Sequence, residues 1–295
     1  MRISFKQLQV FAAIARHENI SMAADEIALT QSAMSMALKE LESQLNTPLF
    51  TRQGKRLKLN NAGMLLQPKV QKLLQLAQEI EQFALQDGFS GQLRIGASST
   101  IGNYLAPAII AEFLTQHPDV HIDLKVGNTE QIVSDVQHMR IDIGLIEGLC
   151  DTPQIERTPW RQDSLKIFCG NSHPLANRKK ISFTDLASSA WILREKGSGT
   201  RAIFTSATHQ HFQPQGQLLE LGNSEAIKQA VKTGFGISCL SELAIASELH
   251  HHELTSLPVE NLDLQRQLFM IKHKSQFSSQ VEQAFEQLLW KHSNL

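Results

Sequence analysis

The stretch Ile20-Ser-Met-Ala-Ala-Asp-Glu-Ile27, followed by Thr30-Gln-Ser-Ala-Met-Ser-Met-Ala-Leu-Lys-Glu-Leu-Glu-Ser-Gln-Leu45, decides the fold of the first part of this chain. Ser21 is predicted to cap a first helix, because its hydroxyl can accept from the free amides of the first turn. Thr30 is predicted to cap a second helix, whose apolar residues recur every three or four positions and face inward. The small alanines of the first helix let the second cross it closely. This pattern is typical of a helix-turn-helix.

The outward face of the second helix is short, polar and nearly uncharged. It presents Ser32, Ser35, Met36 and Lys39, and Gln31 and Ser32 are the predicted base readers. Such a face can enter a DNA major groove and donate to phosphates or base edges. On the helix alone, an ordinary amphipathic helix on a solvated surface explains the pattern equally well.

The basic segment Thr51-Arg-Gln-Gly-Lys-Arg-Leu-Lys-Leu-Asn60 favours the DNA-binding interpretation. Leu57 and Leu59 alternate with basic residues, so one strand face packs inward and the other is positive, with Gly54 at the turn. Residues 31–60 hold five basic and two acidic side chains, although the whole chain has a net charge of −1. A local basic edge indicates a small DNA module rather than a coating protein. The predicted DNA contacts are Ser21, Thr30, Gln31, Ser32, Ser35, Met36, Lys39, Arg52, Lys55 and Arg56.

Length and composition bound the remaining possibilities. A chain of 295 residues with 42% hydrophobic content is expected to form two or three units. No apolar segment follows Met1, so neither a signal peptide nor a membrane span is expected. Cys150, Cys169 and Cys239 are far apart without CxxC spacing, which predicts reduced thiols and a cytoplasmic protein.

Residues 61–87 predict a long helix that pairs with a second copy of itself. The spacing alternates between four and three residues, as in a heptad seam, over Leu66, Val70, Leu73, Ala77, Ile80 and Ala84. Pro68 predicts a bend or a delayed start of the regular part. The alternative is a helix packed on its own domain. Asp87-Gly-Phe-Ser-Gly91 is the predicted stop and linker.

Beyond Gly91 the pattern alternates between strands and helices. Strands are predicted at residues 92–97, 120–126, 141–146, 165–169, 191–193 and 236–240. Helices are predicted at residues 101–116, 129–139, 199–209, 224–232 and 277–290. Two consecutive α/β units of this kind predict a two-lobed module with a cleft between the lobes.

Four motifs give the chain a resemblance to a known family. They are Gln31-Ser-Ala-Met-Ser35 with Leu41-Glu42, Pro48-Leu-Phe50 followed by Arg52, Asp142-Ile-Gly144, and Gly234-Phe-Gly-Ile237. The chain resembles a LysR-type transcriptional regulator along its whole length. The resemblance implies an α plus α/β fold, with a winged helix-turn-helix over 1–60 and a linker helix and hinge over 61–90. It also implies a type II periplasmic-binding-protein-like effector domain over 91–295, with lobe I at 91–162 and 269–295 and lobe II at 163–268.

Further segments resemble one subgroup, the cysteine-biosynthesis and carbon-fixation regulators, and within it a sulfite-sensing type. They are Gly96–Leu105, Ile146–Gly148, Leu193–Arg201 and Leu221–Lys228. The resemblance implies double-stranded operator DNA, a homodimer or tetramer, and RNA polymerase as partners, and no cofactor beyond a small-anion effector. Many relatives carry Arg where this chain has Met36, so the contacts of that position cannot be carried over.

Two short segments predict the chemistry of the cleft. Ser98, Ser99 and Thr100 lie where a strand ends and a helix begins, so hydroxyls and free amides converge there. Gly197-Ser-Gly-Thr-Arg201 repeats the arrangement in the second lobe, with Ser198, Thr200 and Arg201 as donors. Two facing corners of this kind predict a trap for a small oxyanion. Helix capping alone is the alternative.

Glu147 is predicted to lie at the mouth of the same cleft. A carboxylate beside an anion is unfavourable unless the two share a proton. The hypothesis is therefore that Glu147 takes a proton or accepts one from a protonated ligand, which favours hydrogensulfite over sulfate.

No catalytic site and no metal site is predicted. Lys196 stands two residues before Ser198, so the Gly-x-Ser-x-Gly elbow is absent, and Gly234-Phe-Gly236 lacks the third glycine of a dinucleotide fingerprint. His250-His-His252-Glu253 is interpreted as a solvated helix end. Three classes compete: a ligand-responsive transcription factor, a cytoplasmic anion-binding protein that leaves residues 1–87 unused, and a transferase or hydrolase. Salt-dependent binding to duplex DNA separates the first from the others.

Overall fold

The structure is a computed structural model that describes residues 3–54, 56–83, 89–148, 150–276 and 278–293. Lys55 of the predicted wing, residues 84–88 of the predicted linker and Phe277 of the predicted last helix lie outside the described residues. Among the described residues, no helix is long and apolar enough to cross a membrane.

The first unit, called the headpiece here, is a three-helix core with a β-hairpin. Its elements are α1 (Phe5–His17), α2 (Ile20–Glu26), α3 (Gln31–Leu45), β1 (Phe50–Gln53) and β2 (Arg56–Leu59). Phe11 and Ile14 of α1 are fully buried against Met34 and Leu41 of α3. The helix α1 has no counterpart in the sequence-based predictions, although Ser4 and Gln7 form a capping box at its start.

The caps of the two motif helices differ from the prediction in one case. Asn19 caps α2, because its side chain accepts from the amides of Ser21 and Met22 at 2.8 and 3.3 Å. The prediction that Ser21 caps this helix is therefore wrong, since the helix already begins at Ile20 and Asn19 occupies the cap position. The prediction that Thr30 caps α3 is confirmed by its 3.2 Å bond from the amide of Ala33.

The predicted wing is confirmed for its described residues. Strands β1 and β2 are antiparallel, with Phe50 opposite Leu59 and Gln53 opposite Arg56. Gly54 has φ of +62°, the left-handed conformation that a tight hairpin turn requires. Along β2 the basic residues are exposed and the leucines half-buried, so one face packs on the headpiece.

The linker helix α4 (Asn61–Phe83) contains Pro68 and follows the predicted range. Its predicted seam divides into two parts. Val70 is buried and Leu66 is half-buried in the headpiece core, so the first part packs on its own domain. Leu73 and Ile80 are exposed. The prediction of one continuous seam facing a second copy is therefore wrong at Val70, because α1 supplies an intrachain partner.

The remainder of the chain alternates strands and helices as predicted. Lobe I contains β3 (Gly91–Ser98), α5 (Ser99–Tyr104), α6 (Ala106–Gln116), β4 (Val120–Gly127), α7 (Thr129–Gln137) and β5 (Ile143–Glu147). The chain continues with β6 (Ile155–Gly170), α8 (Phe183–Ser188), β7 (Trp191–Arg194), α9 (Gly199–Thr208), β8 (Leu218–Leu221) and α10 (Ser224–Lys232). It closes with β9 (Ile237–Ser241), α11 (Glu242–His250), β10 (Leu254–Ser256), β11 (Gln265–His273) and α12 (Gln280–Lys291).

Two long antiparallel strands join the lobes. The strand order is β4-β3-β5-β11-β6-β9-β7-β8, with β10 paired to β6. The predicted lobe boundaries at 162/163 and 268/269 fall inside β6 and β11, and the register shifts between Leu268 and Phe269. Such an irregularity bends a strand, and the lobe boundaries themselves stay a prediction.

Several elements of the effector region differ from the sequence-based predictions, since α8, β8, β10 and β11 have no counterpart among the predicted segments. The helix predicted over residues 101–116 is two helices, α5 and α6, which meet at Leu105 next to Pro107. The strand β11 was not predicted. Along it, Arg266, Leu268 and Met270 alternate on the buried face, so a buried charged residue interrupts the apolar pattern that would indicate a strand.

Candidate functional site

The predicted DNA-facing surface is exposed. Gln31, Ser32, Ser35, Met36 and Lys39 of α3 are all solvent-accessible, and so are Ser21, Thr30, Arg52 and Arg56. The hydroxyls of Thr30 and Ser32 lie 3.0 Å apart, which holds Ser32 next to the helix cap. These side chains form a polar helix face and a basic hairpin on one compact headpiece.

The cleft lies where the strand ends of lobe I meet the start of α9 in lobe II. β3 ends at Ser98, β5 ends at Glu147, and α9 begins at Gly199. A Cβ atom added to Gly199 would lie 2.1 Å from the carbonyl oxygen of Glu147, so a larger residue cannot take its place without a shift. The glycine therefore allows the helix start to approach the strand end of the other lobe.

The Glu147 carboxylate receives donors from both lobes. Ser98 Oγ of lobe I donates to Glu147 Oε2, and Thr200 Oγ1 of lobe II donates to Oε1 at 3.4 Å. Burial raises the pKa of this carboxyl group, and the nearby Arg266 and Arg194 oppose the rise. Glu147 lines the groove between the lobes, near the position predicted for it, but it is buried there, with only 1% of its surface exposed.

Arg266 connects the two lobes at the centre of the cluster. Its Nη1 donates to Thr200 Oγ1 at 2.9 Å, and its Nη2 donates to Thr100 Oγ1 at 3.2 Å. Its Nε donates to Asp163 at 2.7 Å, and its Nη1 lies 4.0 Å from Glu147. A buried guanidinium thus holds one threonine of each lobe. The sequence analysis did not identify Arg266 and Asp163. Arg266 could have been recognised as an arginine on the apolar face of a segment in which apolar and polar residues alternate.

Ser99 faces a second buried arginine instead. Its hydroxyl donates to the Gly127 carbonyl at 3.1 Å and accepts from Arg194 Nη2 at 3.1 Å. Arg194 also pairs with the carboxylate of Glu195. Its Nη1 is buried and has no hydrogen-bond partner among the described residues. Arg194 was also missed, because a charged residue at the end of a short apolar strand resembles a solvated strand end.

Ser198 and Arg201 do not hold the carboxylate as Thr200 does. Ser198 caps α9 by accepting from the Arg201 amide at 3.4 Å, and Arg201 Nη1 donates to the Arg194 carbonyl at 3.2 Å. Both line an open groove of about 950 Å³ together with Thr129, Cys150 and Lys196. Ser198 therefore caps the helix and also lines the groove, and its contact with an effector stays a prediction. His250 lies at the end of α11, and His250–His252 are exposed, as interpreted from the sequence.

The comparisons with known proteins agree with this architecture. Residues 5–64 match the model of the bacterial regulatory helix-turn-helix protein, lysR family, and residues 86–294 match the LysR substrate binding domain. The chain belongs to the LysR family of transcriptional regulators. LysR-type regulators bind DNA and small-molecule effectors, and this chain is a regulator rather than an enzyme.

Relatives and solved structures of the LysR family cover most of the chain. It is 43% identical to the uncharacterized HTH-type transcriptional regulator YeiE of Escherichia coli, over 97% of this chain and 96% of the relative. It is 33% identical to the regulator CysL of Bacillus subtilis, over 90% and 89%. A full-length OxyR of Pseudomonas aeruginosa matches 99% of this chain and 94% of that one, with a TM-score of 0.75 and 20% identity. That likeness shows the fold.

One solved relative carries a ligand in its regulatory domain. The CcmR regulatory domain of Synechocystis, in complex with 2-PG, is 32% identical, with a TM-score of 0.63. The match covers 69% of this chain and 97% of that one.

Proposed function

We propose that this LysR-type regulator senses a small inorganic oxyanion, with sulfite as the first candidate, in the cleft between its lobes. The observation that carries the proposal is the coordination of Glu147. Ser98, Thr200 and Arg266 surround its carboxylate with donors from both lobes. The same donors suit an oxyanion of similar size and charge.

The binding reaction is proposed to involve a proton on Glu147. An anion next to an ionised, buried Glu147 is repelled, and burial already raises the pKa of this group. Protonation turns the side chain from an acceptor into a donor toward the ligand. Hydrogensulfite can supply that proton, whereas sulfate at neutral pH cannot. Arg194, whose Nη1 has no partner among the described residues, offers a further donor once the cleft rearranges.

The proposed output is a change in how a dimer, or a pair of dimers, holds DNA. The exposed residues of α3 and the basic wing contact a roughly palindromic operator, one headpiece in each half-site. Ligand binding closes the lobes and changes the angle between the dimers, and this change alters the bending of the DNA. By linkage, operator DNA changes effector affinity by the same factor. The proposed setting is the cytoplasm, with RNA polymerase as a further partner.

The alternative effector is an organic or phosphorylated metabolite. The CcmR regulatory domain, 32% identical, was solved in complex with 2-PG. The groove of about 950 Å³ beside the buried cluster leaves room for a larger ligand near Lys196 and Arg201. This alternative keeps the regulator function and changes only the signal.

Calorimetric titration of the full-length protein with sulfite, sulfate, thiosulfate and O-acetylserine tests the proposal. We expect sulfite to bind most tightly and Thr100→Ala to weaken it at least ten-fold, because Arg266 loses its lobe I partner. Thr115→Ala on α6 is the matched control, since this threonine is exposed and its hydroxyl donates to the Ala111 carbonyl of its own helix.

Glu147→Gln separates the proton hypothesis from simple anion binding. We expect this variant to lose most of the preference for sulfite over sulfate, because the amide cannot exchange a proton with the ligand. Unchanged relative affinities would contradict the role of Glu147. Absence of heat from every inorganic anion, with heat from O-acetylserine, would favour the organic effector.

A further inference from the structure

Met36 is a large apolar side chain in the middle of the polar surface of α3. It is 72% exposed, whereas Met34 and Leu38 on the other face are buried in the headpiece. Ser32 lies one turn before it and Lys39 lies one turn after it, and both are exposed. When this surface binds DNA, Met36 is therefore among the side chains that lose contact with water.

Among the described residues, Met36 is the only exposed large apolar residue of α3, and Met22, the other exposed methionine of the two motif helices, lies on α2. Leu65, Leu73 and Ile80 all lie on α4, at spacings that place them along one side of that helix. Met36 has no such neighbours on α3, since the exposed residues around it on the outward face are Ser32, Ser35, Lys39 and Glu40. Its exposure is thus a property of the DNA-facing surface and not an extension of the α4 stripe.

The chemistry of the major groove limits what a methionine can recognise there. The edges of the base pairs present hydrogen-bond donors and acceptors and one apolar group, the 5-methyl group of thymine. A thioether carries no charge and no donor, so it cannot pair with a phosphate or with guanine as an arginine does. It is, however, flexible and polarizable, and it packs well against apolar groups.

We propose that Met36 is a specificity-determining residue that selects thymine at one position of each operator half-site by contact with its 5-methyl group. Met36 reads this thymine beside the base contacts predicted for Gln31 and Ser32, while Lys39 holds the helix on the DNA backbone. This inference rests on the DNA-binding function of the headpiece and is independent of the identity of the effector.

Replacement of thymine by deoxyuridine tests the contact directly. Duplexes that bind the full-length protein are first selected from a random library, and each thymine is then replaced by deoxyuridine in both half-sites. Deoxyuridine pairs with adenine but lacks the methyl group. We expect one position where wild-type affinity falls about four-fold for each half-site, which corresponds to about 0.8 kcal/mol for one buried methyl-sized group.

Three variants assign that effect to Met36. In Met36→Gln the deoxyuridine penalty at this position is expected to disappear, and in Met36→Leu it is expected to remain. Met22→Gln is the matched control, because Met22 is a 55% exposed methionine on α2, and it should keep the wild-type penalty. Because the readout is a ratio of affinities for two duplexes, a general loss of binding does not affect it.

Two results would overturn the inference. One is that the wild-type protein binds with the same affinity whichever thymine is replaced by deoxyuridine. The other is a Met36→Gln protein whose profile of deoxyuridine penalties matches that of the wild type. In either case the methyl group is not read by Met36.

Discussion

The headpiece and the effector cleft use polar residues in opposite ways. On α3 and the wing, Ser35, Lys39 and Arg56 are exposed. In the cleft, Glu147 and Arg266 are almost fully buried and bonded to hydroxyls of both lobes. The first surface is ready for a partner, because its groups remain solvated until DNA arrives. The second is internally paired, so a ligand has to compete with bonds that already exist.

Because of this difference, substitutions in the headpiece should change DNA affinity, whereas substitutions in the cleft should change the stability of the fold. Removing a solvated charge changes what the headpiece binds and leaves the fold almost unchanged. Removing a buried, paired charge leaves its partners without compensation in a medium of low dielectric constant. The same kind of substitution should therefore give different phenotypes in the two regions.

Arg266→Ala is expected to have the largest effect on folding. It leaves Asp163 and Glu147 buried without their cation, and such a loss typically costs about 3–5 kcal/mol of the free energy of unfolding. Urea denaturation of the full-length protein, followed by tryptophan fluorescence, measures it, since all three tryptophans (Trp160, Trp191 and Trp290) lie in the effector region.

The double variant Arg266→Met/Asp163→Leu is the control for this prediction. It removes a buried pair together, so much of the lost stability should return. Arg56→Ala, an exposed arginine of the wing, should change the free energy of unfolding by less than about 0.5 kcal/mol. If Arg266→Ala and Arg56→Ala lowered the free energy of unfolding equally, the distinction between the two regions would be wrong.

Glu282→Gln tests whether a buried carboxyl group outside the cleft also contributes strongly to the free energy of unfolding. Burial and the nearby Asp142 raise the pKa of Glu282 from 4.5 to about 7, against the opposing charge of Lys272. The folded state therefore holds this proton more tightly than the unfolded state. The resulting stabilisation is complete below pH 4.5 and is lost as the pH rises through about 7, by an amount on the order of 3 kcal/mol.

Urea denaturation at pH 5 and pH 8 measures this dependence. Wild type should lose stability between the two values, and Glu282→Gln should lose about 2.5 kcal/mol less, because the amide does not titrate. Glu286→Gln is the matched control, since Glu286 also binds Lys272 Nζ, at 2.6 Å. A pH dependence in Glu282→Gln equal to that of wild type would assign the titration elsewhere.

The sequence predicted the headpiece better than the cleft, for a physical reason. The α3 cap at Thr30, its buried residues and the alternation of β2 are all encoded within a few residues of one another. Of the cleft, the sequence identified Ser98, Thr100, Glu147 and Thr200, because strand ends and helix starts are also local signals.

The residues that complete the cleft are distant in sequence from those that were predicted. Arg266 and Thr100 are bonded across 166 positions, and their contact depends on the register of β11 against β6 and β5. No local pattern specifies that register. The same limit explains Val70, whose heptad spacing is correct but whose partner is α1 of its own chain.

Lys39→Ala should have the smallest effect on stability and a clear effect on binding. Lys39 is exposed on α3, and the free energy of unfolding should change by less than about 0.5 kcal/mol. If Lys39 contacts a phosphate, affinity for duplex DNA falls, and the slope of log K against log salt falls by about one for each subunit bound. Fluorescence anisotropy at several salt concentrations measures that slope. Lys180→Ala is the matched control, because this lysine side chain is 81% exposed in lobe II, away from the headpiece. An unchanged slope in Lys39→Ala would show that Lys39 does not contact a phosphate, and the basic residues of the wing would then have to make the phosphate contacts.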